Sequence, residues 1–126
     1  MGLRPGFPDW SNAIDSDMRE TLEILRFTGR SIVALGEGID EEALWDDKIL
    51  RARVEREIVA LGRGLAQVRD RSPETWRRLG RPDTGVRFGD VIAAGEWIDY
   101  GSVWRAIRYD VPPLLERVEA VLGGDG

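Results

Sequence analysis

The chain contains no histidine and no cysteine in 126 residues. Without cysteine there is no disulfide and no thiolate metal site. Without histidine it lacks the side chain whose unperturbed pKa lies near neutrality, which excludes a nucleophile–base triad or proton shuttle of the usual kind. Lysine is nearly absent as well, with Lys48 standing alone among seventeen arginines. No apolar run approaches the roughly eighteen residues that a membrane-spanning helix needs. Met1-Gly2-Leu3-Arg4-Pro5 has none of the apolar core of a signal peptide, so cytoplasmic residence is the default expectation. No segment of useful length alternates with strand period, and no internal repeat is present.

What is present is ordinary for a globular domain: 42% hydrophobic and 33% charged residues. The length suits one domain, residues 1–126, able to bury a real core. The net charge of −5 conceals an asymmetry. Residues 1–50 carry eleven acids and five bases, residues 51–87 ten arginines and five acids, and residues 88–126 seven acids and three bases. A basic middle of this kind suits RNA phosphates or an acidic protein surface, and arginine suits phosphate better than lysine. The plainer expectation is a helix face of solvated arginines, some paired with Glu55, Glu57 and Asp70.

Hydrophobic periodicity predicts helices throughout. Residues 1–14 hold two prolines, two glycines and no period, which reads as an extended arm with Phe7 and Trp10 tacked onto the body. Asp15 or Ser16 is positioned to cap a first helix with Asp17 and Glu20 in its opening turn. Its buried stripe is Met18, Leu22, Leu25, Gly29, Ile32 and Gly36, the two glycines marking close approach of a neighbour. Asp40 caps one short turn, and Asp46 or Asp47 a long helix with the stripe Leu50, Val54, Ile58, Leu61, Leu65 and Val68. Ser72-Pro73 begins a short helix that buries Trp76 and Leu79. Gly80 to Gly89 reads as a loop, and Asp90 to Trp97 as a stunted helix of about two turns. Trp104, Ile107, Val111, Leu114, Val118 and Val121 form the last stripe. Pro112 and Pro113 interrupt it, with Asp110 poised to cap a fresh start, and residues 123–126 read as a frayed tail. The architecture expected is an all-α, up-and-down bundle of four to five helices.

Three segments resemble the HepT-like toxins, a branch of the HEPN superfamily. Ile98-Asp99-Tyr100-Gly101-Ser102-Val103-Trp104, with Asp110-Val111-Pro112-Pro113-Leu114-Leu115 beyond it, is similar to the family's C-terminal helix. Arg56-Glu57-Ile58-Val59-Ala60-Leu61-Gly62 resembles the family's Arg-Asn-Leu-x-x-Ile-Gly. Where the family continues with Glu-Ala, this chain has Arg63-Gly64. Asp90-Val91-Ile92-Ala93-Ala94 resembles the segment leading into the family's catalytic arginine. The resemblance covers roughly residues 16–122. In the family an Arg-x-x-x-x-His-x-Tyr motif precedes Ile-Asp-Tyr directly. Here Gly95 stands where the arginine would be, Glu96 and Trp97 follow, and Ile98-Asp99 comes at once.

The resemblance implies a HEPN-like bundle acting as the toxin of a type VII toxin–antitoxin system. The family is an endoribonuclease, homodimeric, silenced by a minimal nucleotidyltransferase antitoxin that attaches AMP to the motif tyrosine. None of the motif's three functional residues has an equivalent here, and Tyr100 matches a different tyrosine. Catalytic residues are therefore none, the motif's place falling at the Gly95, Glu96, Trp97 junction. A gap of about seven residues is nearly two whole helical turns, leaving only about 20° of rotation, so the flanking face can stay in phase. Candidates for antitoxin or RNA binding are Arg56, Arg63, Arg77, Arg78 and Arg87, and for a dimer seam Trp97 and Trp104. The five tryptophans are otherwise expected in the core.

No cofactor and no metal is expected. Glu37, Asp40, Glu41, Glu42, Asp46 and Asp47 lack the alternation and central glycine of a calcium loop and read as caps and a solvated connection. Gly36-Glu37-Gly38 and Gly62-Arg63-Gly64 lack the strand and third glycine of a phosphate loop. Two rival readings stay open. One is a working ribonuclease that uses Arg87, Glu96 or Asp99 as substitutes. The other is a helical adaptor with no link to RNA.

Overall fold

A computed structural model of the chain describes residues 15–124. The arm expected over 1–14 and residues 125–126 lie outside the described residues. Helix α1 spans Ser16–Glu37, α2 Glu41–Asp46, α3 Lys48–Arg71, α4 Pro73–Arg78, α5 Asp83–Ala93, α6 Tyr100–Arg105 and α7 Val111–Gly124, with a π-helical turn at Ala106–Asp110. No strand occurs among the described residues, and the fold is an all-α bundle.

The helix starts follow from side-chain caps. The Asp15 carboxylate accepts from the Met18 N–H at 2.7 Å, and Asp40 from Ala43 at 2.9 Å. Asp47 accepts from both Ile49 and Leu50, and the Ser72 hydroxyl from Thr75. Each satisfies an N–H that the first turn would otherwise leave unpaired. The acidic run 37–47 is thus partly explained: Asp40 and Asp47 are caps.

Side-chain contacts fix an up-and-down arrangement. The Thr21 hydroxyl donates to Gln67, and Gly64 lies under Leu25, so α1 and α3 run antiparallel. Gly29 meets Leu115 and Gly36 meets Ile107, so α1 and the C-terminal helix also run antiparallel. The order in space is α5, α3, α1, α7. Every stripe residue named for α1 is buried, as are Val54, Ile58, Leu61, Leu65 and Val68 of α3, with Leu50 half-buried. Trp76, Leu79, Ile107, Val111, Leu114, Val118 and Val121 join the same core.

Four expectations fail, each for an identifiable reason. Residues 83–89 are helix, not loop, because Gly85 and Gly89 serve the α3–α5 crossing. A Cβ on Gly89 would sit 3.1 Å from the Gly62 Cα, so the two backbones touch. The stunted helix does not reach Trp97. It ends at Ala93 in a Schellman motif: Gly95 N–H donates to Ile92 and Glu96 N–H to Val91, with Gly95 at φ +74°. The two prolines do not break the last helix. The preceding turn widens, and the Val111 N–H bonds Ala106, five residues back, so the prolines fall at the opening of α7. Gly123 and Gly124 continue α7 rather than fraying.

Candidate functional site

Two regions gather polar side chains against apolar surface. The first is the corner where α2, α3 and α6 meet. Asp99 caps α6, its carboxylate accepting from the Gly101 N–H at 3.0 Å and the Ser102 hydroxyl at 3.2 Å. One residue on, the Tyr100 hydroxyl donates to Glu55 at 3.0 Å. Trp45 meets the Tyr100 ring edge-on, centroids 5.1 Å apart, and the Arg51 guanidinium lies 5.3 Å from that ring's centre. Arg51 also donates to the carbonyls of Leu44 and Trp45, closing the end of α2. Burial, and then the Glu55 carboxylate, hold the Tyr100 phenol above its ordinary pKa, while Arg51 opposes them. Ile-Asp-Tyr therefore acts structurally: a core residue's neighbour, a cap and an anchor.

The junction at Gly95, Glu96 and Trp97 is a connection between two separate helices, α5 and α6. The expectation of a helix shortened in phase is not what is found, because Gly95 stops α5 and Asp99 starts α6 afresh. Glu96 is exposed, and Asp99 is committed as a cap. Trp97 projects into solvent at 81% exposure, whereas Trp104 is half-buried under the Arg108 guanidinium, 5.6 Å from its ring centre. Of the tryptophans described, Trp76 alone lies in the core, and Trp45 is exposed with Trp97.

The arginine candidates do not form one patch. Arg56 and Arg63 line a shallow groove on α3 together with Glu55, Val59 and Ile92. Arg77 and Arg78 are exposed on α4, outside that groove, and Arg77 pairs with Glu74 at 2.8 Å. Of the acids expected to pair with arginines, Asp70 holds Arg69 at 3.1 Å and Glu55 holds Tyr100. Among the described residues no group of three or more acidic side chains could hold a metal ion. No helix there is long and apolar enough to cross a membrane.

The second region was not foreseen. Helices α5 and α7 flank α3 and α1 but do not pack closely on each other. Between them opens a cleft of about 640 Å³, its floor formed by Ile58 and Leu61 of α3. The α4–α5 connection, Arg87 and Phe88 form one wall, and the π turn and α7 form the other. The connection is tightly specified. Arg81 N–H reaches Trp76 and Gly80 N–H reaches Arg77, a second Schellman motif, with Gly80 at φ +85°. Arg81 follows in the left-handed region at φ +51°, and Pro82 makes an inverse γ-turn closed by Asp83 N–H to Arg81 at 2.7 Å. Sequence reasoning missed Arg81, Phe88, Tyr109 and Arg117 as a group, because only the separation of α5 from α7 brings them to one cleft.

No family model, no curated protein and no solved structure matches the chain.

Proposed function

We propose that this chain is a HepT-like toxin component that lacks the ribonuclease site and acts by binding. Three features support the reading: the Ile-Asp-Tyr-x-x-Val-Trp and Pro-Pro-Leu-Leu segments, the Arg56–Gly62 segment, and an all-α bundle able to carry them. The observation that carries its catalytic half is the junction. Gly95, in the left-handed conformation of a helix C-terminus, occupies the place the resemblance gives to the catalytic arginine. An arginine there would be strained, since side chains with a Cβ disfavour positive φ. With no histidine in the chain and Asp99 used as a cap, the junction holds neither the arginine nor the histidine that the resemblance would place there.

The binding half rests on the retained surfaces. On this reading exposed Trp97 and half-buried Trp104 contribute to a homodimer seam. The Arg56–Arg63 groove meets a minimal nucleotidyltransferase partner or RNA phosphates.

Purified protein incubated with tRNA and mRNA is expected to leave both uncut over a time course. General acid–base catalysis typically supplies about 10²- to 10⁴-fold, and here its groups are missing. Robust cleavage without added metal, unchanged by Glu96→Gln and Asp99→Asn, would overturn the reading and also the substitute-carboxylate alternative.

A further inference from the structure

We propose that the cleft between α5 and α7 binds a small aromatic anion, of the chemical class of an aryl phosphate or aryl carboxylate. The inference does not rest on the proposed ancestry: Leu61, Asp110 and Leu114 fall within resembling segments, but the cleft is argued from its lining as the fold assembles it. Its volume of about 640 Å³ falls within the range of small-molecule sites. The floor, at Ile58 and Leu61, is apolar and already buried, so it favours an apolar body over water. Phe88 stands on one wall, and Tyr109 lies at the mouth with 69% of its surface uncovered. Two aromatic side chains in the lining offer contact to an aromatic body.

The charged lining supplies the preference for an anion. Arg81, Arg87 and Arg117 border the cleft. Asp83 and Asp110 border it too, so guanidiniums outnumber carboxylates three to two. Among the described residues none of these three arginine side chains makes a hydrogen bond or ion pair. By contrast Arg30, Arg69 and Arg77 each hold a carboxylate. The Arg117 guanidinium lies across Gly80, where a Cβ would sit 3.0 Å from its Nη1, so α7 reaches over to the opposite wall. Asp83 has a separate task, because it lies in the first turn of α5, where a carboxylate opposes the helix dipole.

The backbone of the cleft is unusual on both sides. Arg81 is the non-glycine residue with positive φ among those described, and non-glycine residues held there are strained. The facing wall contains the π turn, a feature that turns up disproportionately at functional sites. Each alone says little. Here both border the same cleft as the three arginines and the uncovered ring.

Two-dimensional amide NMR of the full chain tests this with four probes: phenyl phosphate, phenylacetate, inorganic phosphate and benzyl alcohol. The two aromatic anions are expected to shift the amides of residues 80–88 and 106–117 saturably. Inorganic phosphate and benzyl alcohol, each carrying half of the chemistry, should bind at least about tenfold more weakly. Arg87→Ala combined with Arg117→Ala should weaken phenyl phosphate by roughly tenfold or more while the rest of the spectrum stays put. Thr84→Trp, placed at the exposed rim, should block binding by filling the slot. Three results would each overturn the proposal: no saturable shift at these amides, inorganic phosphate binding as tightly as phenyl phosphate, or full affinity retained in either variant.

Discussion

The Tyr100 hydroxyl donates to Glu55 across the contact between α6 and α3, and burial holds the phenol in its neutral form. The consequence for stability has a definite sign. In the unfolded chain the phenol titrates near its ordinary value of about 10. In the folded chain it titrates higher, so over that interval the folded state keeps a proton that the unfolded state has released. Its contribution is complete below about pH 10 and is lost as pH rises through the folded value. Tyr100→Phe is therefore expected to cost about 1 kcal/mol at neutral pH, the worth of a typical hydrogen bond, and to lessen the loss of stability above pH 10. Urea melts of both proteins between neutral and strongly alkaline pH check this, and parallel curves would contradict it. Tyr100 was visible in the sequence as part of a motif, but its partner was not, since Glu55 lies forty-five residues away. Gly95 shows the opposite case. Its place at the junction was legible, yet its role as a helix terminator depends on φ and on two backbone hydrogen bonds.

At the level of helices, local signals were reliable where the chemistry was local. The caps at Asp40 and Ser72 and the stripes of α1 and α3 were legible, and those at Asp15 and Asp47 were legible to within one residue, because a cap acts over three residues and a stripe over one turn. The start of α5 was not. Gly85 and Gly89 looked like breakers, and their purpose emerges only when Gly62 of α3 is set against them. That crossing makes a specific prediction. A Cβ on Gly89 would lie 3.1 Å from the Gly62 Cα and 3.3 Å from the Ile58 carbonyl oxygen, and neither backbone atom can swing aside. Gly89→Ala should therefore destabilise by about 1–3 kcal/mol through overpacking, outweighing alanine's intrinsic helical advantage of about 1 kcal/mol. Gly123→Ala, with nothing within 4 Å, should be neutral or slightly stabilising. The two denaturation midpoints, read side by side, decide it, and an unharmed Gly89→Ala would show that the crossing has slack. The proline pair follows the same pattern: the sequence marks an interruption, and the widened turn before it is the fold's solution.

For the whole molecule, the bundle class was legible from composition and period, and the cleft was not. Its walls come from α5 and α7, separated along the chain by α6 and the π turn, and its floor from α3. No local pattern reports how far apart two helices will stand. The absence of histidine was equally plain in the sequence, and what the fold adds is the form of the junction: two capped helix ends where the resemblance sets a catalytic stretch. On the proposed reading, this scaffold is a HepT-like bundle silent for want of that stretch. Its most direct test is to put the stretch back. In the test chain, Gly95 gives way to a helical segment carrying an arginine, a histidine five residues later and a tyrosine two beyond that, leading into Ile98-Asp99-Tyr100. The measurement is tRNA cleavage by that chain beside the unaltered one, both shown by circular dichroism to be folded. Cleavage by the restored chain is expected, abolished when the new histidine is changed to alanine. A restored chain that folds cooperatively and leaves RNA intact would contradict that reading.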